Sequence, residues 1–185
     1  MALTPTKDIP LGFEAPSFAL TDAVTGATVT SDDIFAGGPT VVVFMCNHCP
    51  FVIHILESFV AFAAECSDNG VNVVAISSND VVNYPLDDVP LMKELAEAHA
   101  FTFPYLYDPT QDVARAYDAE CTPDFSVFDA SRTCVYRGQF DGSRPGSGIP
   151  VTGEDLRRVV ELLLQGNPIP SEGQTPSIGC NIKWR

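Results

Sequence analysis

The feature that most constrains the fold is a pair of apolar runs, residues 40–45 and 71–76, that flank a long apolar segment. Each run is continuous, a pattern typical of strands buried on both faces of a mainly parallel sheet. Between them, the few polar side chains of residues 51–66 recur at three- and four-residue spacing, which predicts a largely buried helix. A strand-helix-strand unit of this kind is right-handed and parallel. The sequence therefore predicts an α/β fold class.

The rest of the chain predicts one compact domain, residues 8–166, followed by an irregular C-terminal tail, residues 167–185, that packs on it. A glycine-containing turn between two short β-prone runs predicts an N-terminal hairpin. Further strands are expected at 103–107, 125–128 and 134–140, the last two as an antiparallel hairpin, and further helices at 91–100, 110–117 and 153–165. Together they predict a central mixed β-sheet flanked by helices.

The charge of the chain excludes two classes of partner. Twenty-four acidic against ten basic residues give a formal net charge of −14, which repels nucleic-acid backbones and anionic membranes. The first residues show no targeting pattern, and no apolar run is long enough to span a membrane. We expect a cytoplasmic protein that binds neither nucleic acid nor membrane. The oligomeric state is left open.

Six cysteines are too few for the disulfide framework of a small secreted protein. Two of them form a close pair in the motif Cys46-Asn47-His48-Cys49, here called the CNHC motif. In a reducing compartment, such a pair indicates redox chemistry or metal binding.

The position of the CNHC motif, between a buried strand and a helix, predicts a reactive dithiol. We expect Cys46 at the helix N-terminus, where backbone amides and the helix dipole stabilise a thiolate, and therefore as the nucleophile. Cys49, one turn further along, is then the resolving thiol. His48 between them would further stabilise the thiolate, and Pro50 fits the first helical turn.

A metal site is the weaker interpretation of the same motif. Zinc needs four ligands, and no second close pair of ligands exists in the sequence. The additional ligands would have to come from residues far along the chain, Cys121, Cys134, Cys180, His54 or His99. We therefore predict no metal and no cofactor.

A second landmark is the sequence Cys121-Thr122-Pro123, directly before the strand predicted at 125–128. A central strand would not tolerate a proline, and this location, in a chain that also carries the dithiol, suggests a cis peptide bond. Thr122 and Pro123 are therefore predicted to support catalysis.

These residues resemble the thioredoxin superfamily, specifically the redoxin branch related to alkyl hydroperoxide reductases and thiol-specific antioxidant proteins, and within it a peroxiredoxin-like group with a CNHC motif. The matching segments are 43–52 (VFMCNHCPFV), 121–123 (CTP), 136–138 (YRG), 143–146 (SRPG) and 175–184 (TPSIGCNIKW). The resemblance implies a thioredoxin-like sheet in which Cys46 and Cys49 face Pro123.

The chain also departs from that family. True peroxiredoxins carry a threonine three residues before the peroxidatic cysteine, whereas Val43 precedes Cys46 at that spacing and Cys46 itself precedes Cys49. The arginine that activates the peroxidatic cysteine has no counterpart near the strand after Thr122-Pro123. These departures from the family favour disulfide chemistry over peroxidase chemistry.

The tail contributes another cysteine. Its apolar end, with Ile182 and Trp184, predicts that it folds back so that Cys180 meets either Cys121 or the dithiol. Cys121 and Cys180 are thus candidates for a third redox cysteine. Cys66 and Cys134 are expected to be apolar packing residues.

Three functions remain open. The favoured one is a thiol-disulfide oxidoreductase whose partners are a protein or small-molecule disulfide substrate and a thiol electron donor. A peroxiredoxin-like thiol peroxidase with antioxidant activity is the second. A metal-binding or adaptor module that uses the fold without turnover, through Cys46, His48 and Cys49, is the third.

Overall fold

A computed structural model describes residues 3–185, which form strands and helices around one core. The strands are β1 (Leu3–Pro5), β2 (Ala19–Asp22), β3 (Thr28–Thr30), β4 (Thr40–Phe44), β5 (Asn72–Ser77), β6 (Tyr105–Tyr107), β7 (Cys121–Thr122), β8 (Asp124–Phe128), β9 (Cys134–Gly138) and β10 (Ile178–Asn181). The helices are α1 (Ser31–Ile34), α2 (Pro50–Asp68), α3 (Val89–Ala98), α4 (Asp112–Ala116) and α5 (Glu154–Leu164), with a 3-10 turn at Pro85–Asp87. The predicted α/β class is confirmed.

Seven strands form one mixed sheet in the order β3-β2-β6-β5-β4-β8-β9. The β4, β5 and β6 strands are parallel, as the strand-helix-strand pattern predicts. The remaining neighbours are antiparallel, and they include the predicted N-terminal hairpin β2–β3 and the hairpin β8–β9. Strand β4 lies inside the sheet, between β5 and β8, so the segment that follows it leaves the sheet away from both edges.

Both faces of β4 are covered, which explains its continuous apolar sequence. Val41 and Val43 pack in the cluster that contains Phe59 of α2. Val42 and Phe44 point to the opposite face, where they pack in the cluster that contains Tyr117. Because neither face of the strand meets water, polar residues would be costly at every position.

Helix α2 is the principal helix of the core. It begins at Pro50, which occupies the first turn where a missing N–H is tolerated, and it ends before Asn69. By length and composition alone, α2 could cross a membrane. This is weak evidence for a membrane span, because buried core helices have the same length and composition. Seven of its side chains are buried: Val52, Ile55, Leu56, Phe59, Phe62, Ala63 and Cys66.

The predicted irregular tail contains a strand, which corrects that expectation. Strand β10 is the centre of a second sheet, order β1-β10-β7, and is antiparallel to both neighbours. The prediction failed because the partners of β10 are distant in sequence. Strand β1 also lies before residue 8, so the chain on both sides of 8–166 contributes to this sheet.

Candidate active site

The CNHC motif lies between the end of β4 and the start of α2, but in a different register from the one expected. The helix begins at Pro50, and its N-cap residue is Cys49. The prediction that Cys46 stands at the helix N-terminus, with Cys49 one turn deeper, is therefore wrong. Pro50 fixes this register because a proline is favoured in the first helical turn.

Cys49 is the sulfur with the most polar surroundings. Its Sγ lies 2.9 Å from Sγ of Cys180 and, as a thiol, donates to the carbonyl oxygen of Thr122 at 3.1 Å. Hydrogen bonds from Cys46, Cys180 and Thr122 lower the pKa of Cys49 to about 5, against the opposing effect of burial. Its N-cap position adds the favourable field of the helix dipole. At neutral pH, Cys49 is the thiolate.

Cys46 is the protonated partner of this thiolate. Its hydrogen bond to Cys49, burial and the negative charge of Asp87 raise the pKa of Cys46 well above its usual range. Its Sγ lies 3.7 Å from the hydroxyl oxygen of Thr122. The pair therefore holds one proton, on Cys46, and one negative charge, on Cys49.

Asp87, in the 3-10 turn after β5, fixes the CNHC motif from the outside. The Oδ1 atom of Asp87 accepts from the backbone N–H groups of Asn47, at 2.9 Å, and His48, at 3.3 Å. Its Oδ2 atom accepts from the side-chain amide of Asn79 at 2.8 Å and lies 2.7 Å from Nδ1 of His48. Asp87 is completely buried. These contacts hold both the backbone and the histidine of the motif.

Sequence reasoning missed Asp87, because no local pattern distinguishes it from the other acidic residues. The signal that could have identified Asp87 lies in the topology of the sheet. Strands β4 and β5 are parallel neighbours, so the loops after their carboxyl ends lie at the same edge of the sheet. The loop after β5 therefore had to approach the CNHC motif. Thioredoxin-like proteins need a proton acceptor near the dithiol, and the sequence offered none on the strand before Cys46.

His48 and Asn47 both contact the loop that contains Asp87, and Asn47 also contacts β6. The His48 ring stacks on Tyr84, with centroids 6.2 Å apart and an interplanar angle of 6°. Asn47 donates to the carbonyl oxygen of Leu86 at 3.0 Å and accepts from the hydroxyl of Tyr105 at 3.0 Å. The motif is thus anchored on both sides.

The metal alternative takes a changed form in the structure. One sulfur of Cys46, one ring nitrogen of His48 and one oxygen of Asp87 lie within 4.8 Å of one another. Asp87 replaces Cys49 as the third ligand of this group. Both Asp87 oxygens also accept hydrogen bonds, from the backbone N–H of Asn47 and the side-chain amide of Asn79.

The Thr122–Pro123 peptide bond is cis, which confirms that prediction. Thr122 contacts both cysteines of the motif, through its hydroxyl and its carbonyl oxygen. The register of β7 and β10 pairs Thr122 with Cys180 and Cys121 with Asn181. Of the two positions predicted for Cys180, the structure therefore gives the one beside the dithiol.

The other cysteines lie apart from this sulfur group. Burial raises the pKa of Cys66 and of Cys134 to about 12, as expected for packing residues. Burial, together with the charge of Asp124, also raises the pKa of Cys121 well above its usual range. The Sγ of Cys121 lies 3.6 Å from the carbonyl oxygen of Pro123. Its redox role stays a prediction.

A mixed sheet with these two cysteines between a central strand and a core helix, facing a cis-proline, defines a thioredoxin-like fold. Residues 11–140 match the AhpC/TSA family, and the chain belongs to that family. The redoxin branch expected from the sequence is thereby confirmed, and the family indicates oxidoreductase chemistry in general.

Solved structures agree with this assignment. The chain is similar to an uncharacterized conserved protein from Geobacillus kaustophilus, with 51% identity over 100% of this chain and 97% of that one, at a TM-score of 0.97. It is also similar to a hypothetical protein from Sinorhizobium meliloti 1021, with 43% identity over 98% of each chain, at a TM-score of 0.95. No curated protein matches it in sequence.

A more distant likeness concerns the fold alone. A thiol:disulfide interchange protein of the thioredoxin family from Chlorobium tepidum TLS is 20% identical over 85% of this chain and 99% of that one, at a TM-score of 0.64.

Proposed function

We propose that this protein is a thiol-disulfide oxidoreductase whose working pair is Cys46 and Cys49. The observation that carries the proposal is the buried pair of cysteines before α2, whose sulfurs both contact Thr122 of the cis Thr122–Pro123 bond, with a hydrogen bond from Cys46 that lowers the pKa of Cys49. A thiolate is the nucleophile of disulfide exchange, and a neighbouring thiol can complete the reaction.

In the reducing direction, the Cys49 thiolate attacks one sulfur of a substrate disulfide. A bond forms between Cys49 and that sulfur, and the other substrate sulfur leaves as a thiolate. Cys46 then gives up its proton and attacks Cys49. The Cys46–Cys49 disulfide forms, the second substrate sulfur leaves, and two electrons have passed to the substrate. A thiol donor returns the dithiol to its reduced form.

His48 is the proposed acceptor of the Cys46 proton. One of its ring nitrogens lies within 4.8 Å of the Cys46 sulfur, and Nδ1 of the ring lies 2.7 Å from Oδ2 of Asp87, a contact that orients the ring. Thr122 supports both steps, since its hydroxyl contacts Cys46 and its carbonyl oxygen contacts Cys49. Pro123 fixes the direction of the loop that carries Thr122.

The proposed partners are a disulfide substrate and a thiol electron donor. Cys46 and Cys49 are each 1% exposed, which favours small disulfides over folded proteins as substrates. The net charge of −14 argues against nucleic acid and anionic membranes as partners. A cytoplasmic location stays a prediction.

Serine variants test the proposal. Cys49→Ser should abolish the reduction of hydroxyethyl disulfide with reduced glutathione as the electron donor, because the attacking sulfur is gone. Cys46→Ser should still attack and should accumulate a mixed disulfide with glutathione at Cys49 when Cys180 is also replaced by serine. Cys134→Ser is the matched control, since it removes a buried thiol outside the site. Full activity of Cys49→Ser would overturn the scheme.

A thiol peroxidase is the second candidate, and one observation favours it. A buried thiolate at Cys49 suits a small hydroperoxide, which would oxidise it to a sulfenic acid that then condenses with a thiol and releases water. Rapid-mixing oxidation by hydrogen peroxide separates the candidates. A rate no faster than that of a simple thiol removes the peroxidase.

Metal analysis of protein purified without oxygen tests the third interpretation, a metal-binding module. A stoichiometric metal that is absent from variants of Cys46 and of Asp87 would support this interpretation. Metal-free protein with full disulfide turnover would exclude it.

A further inference from the structure

The tail strand β10 delivers a third sulfur to the dithiol. Sγ of Cys180 lies 2.9 Å from Sγ of Cys49, less than about 1 Å longer than a disulfide bond. Both sulfurs are buried, with Cys180 only 4% exposed. Because water is excluded from the space between them, the contact is held by the fold and not by a surface encounter.

The main chain fixes Cys180 in this position. Cys180 pairs with Thr122 on one side and with Leu3 on the other, so the strand is the middle member of its sheet. Further along, the backbone N–H of Ile182 donates to the carbonyl oxygen of Glu120 at 3.0 Å. The tail is therefore tied down on both sides of the cysteine.

The residue before the cysteine permits this approach. A Cβ atom on Gly179 would lie 2.0 Å from the carbonyl oxygen of Thr122. The backbone would have to shift to relieve this clash. Only glycine fits where β10 crosses the Thr122–Pro123 loop. The close contact between Cys180 and Cys49 thus requires glycine at position 179.

We infer that Cys180 is a second exchange partner of Cys49, so that the protein forms a Cys49–Cys180 disulfide in exchange with Cys46–Cys49. This inference rests on the proposed function, which supplies the first disulfide. Cys180 attacks Cys49, the Cys49–Cys180 bond forms, and the Cys46–Cys49 bond breaks. The proton of Cys180 passes to the released Cys46 sulfur. One thiol and one disulfide are present before and after, so no outside oxidant is needed.

Lys183 assists the attack, since its positive charge opposes the effect of burial, which raises the pKa of Cys180 to about 12. The exchange returns Cys46 to the thiol form while the oxidising equivalent moves to the tail. A thiol donor would then act on a disulfide that includes β10, away from the position of Cys46.

Disulfide mapping of the full-length protein tests the inference. The Cys46→Ser variant, oxidised by one equivalent of oxidised glutathione and quenched in acid, should yield a peptide pair that links Cys49 to Cys180. Wild type should contain both this link and Cys46–Cys49. Cys180→Ser should lose the first completely and keep the second, and Cys134→Ser should match wild type. Trp184 fluorescence checks that each variant is folded.

The outcomes separate this inference from the proposed function. If Cys46→Ser carries only glutathione on Cys49 while wild type and Cys180→Ser reduce hydroxyethyl disulfide with glutathione as the donor, the exchange is refuted and the proposed function stands. If Cys46→Ser forms the Cys49–Cys180 link while wild type reduces no disulfide, the exchange stands and the proposed function fails.

Discussion

Oδ2 of the buried Asp87 lies 2.7 Å from Nδ1 of His48, so the loop after β5 holds the histidine of the CNHC motif. The same carboxylate accepts the backbone N–H groups of Asn47 and His48. The orientation of the motif therefore depends on a residue nearly forty positions away in the chain. It also places a negative charge near Cys46, which contributes to the raised pKa of that thiol.

Replacing this carboxylate by an amide should slow the second half of the reaction. In Asp87→Asn, the group that lies 2.7 Å from Nδ1 of His48 loses its negative charge, and the new amide opposes that of Asn79. Losing a hydrogen bond to a charged group costs about 1.5–3 kcal/mol. If this energy is lost in the transition state, the rate of mixed-disulfide resolution falls about 10- to 100-fold. Stopped-flow resolution of glutathione from Cys49 measures it.

A second readout of Asp87→Asn distinguishes an electrostatic role from a structural one. The negative charge of Asp87 raises the pKa of Cys46, so its removal should lower that pKa and shift the pH profile of resolution to lower pH. Asp88→Asn is the matched control, because asparagine also serves as the N-cap that Asp88 provides for α3. An unshifted profile in Asp87→Asn would contradict the assignment.

The ionisation of Cys49 gives a prediction about pH. Its pKa is lowered to about 5, so thiolate absorbance in the ultraviolet should rise as pH increases through 5. Cys49→Ser should lose this step. In Cys46→Ala the step should move to higher pH, because the hydrogen bond with the Cys46 thiol is the largest cause of the lowered pKa. A step that survives in Cys49→Ser would place the thiolate elsewhere.

The free energy of unfolding should also depend on the ionisation of Cys49. Between about pH 5 and pH 9, the unfolded chain keeps a proton on Cys49 that the folded chain has lost. The free energy of unfolding of the reduced protein should therefore rise with pH in this window, more steeply in wild type than in Cys49→Ser. Urea unfolding at several pH values measures the difference. Equal slopes for the two proteins would argue against a lowered pKa.

Local patterns in the sequence were sufficient for the elements around the dithiol. The continuous apolar sequence of β4 requires cover on both faces, and the proline at 123 cannot lie inside a central strand. These patterns correctly predicted the parallel β4–β5 pair, helix α2 and the cis peptide bond. Each depends on neighbours along the chain or on a property of a single residue type.

The features that local patterns missed depend on residues distant in sequence. Strand β10 has only four residues and no alternating pattern, and it becomes a strand by pairing with β1 and β7. Asp87 contacts the CNHC motif because the fold brings the loop after β5 next to the segment after β4. The ionisation of the dithiol depends on where the helix begins, since starting α2 at Pro50 makes Cys49 the N-cap instead of Cys46.

A small change at Gly179 should separate the two disulfides that Cys49 can form. The Cβ atom of Gly179→Ala would meet the carbonyl oxygen of Thr122, so β10 must move away from the dithiol. In the Cys46→Ser background, this substitution should abolish the Cys49–Cys180 disulfide. In the presence of Cys46, it should leave the Cys46–Cys49 disulfide intact. Peptide mapping after oxidation measures both.

Gly142→Ala is the control for this variant. Gly142 has no positive φ, and a Cβ atom there meets nothing within 4 Å. It should therefore form both disulfides as wild type does. Undiminished Cys49–Cys180 disulfide in Gly179→Ala would mean that the contact does not depend on the close approach of β10 to Thr122.

The size of the substrate is the last property that the site constrains. Cys46 and Cys49 are each 1% exposed, and β10 occupies the main-chain edge of Thr122 beside them. A protein disulfide would have to displace this strand, whereas a small disulfide need only enter between side chains. We expect hydroxyethyl disulfide to be reduced at least about tenfold faster than insulin, a difference of ~1.4 kcal/mol in activation free energy. Gly179→Ala should narrow this difference, because the displaced strand uncovers Thr122. Equal rates for the two substrates in wild type would show that the tail does not restrict access.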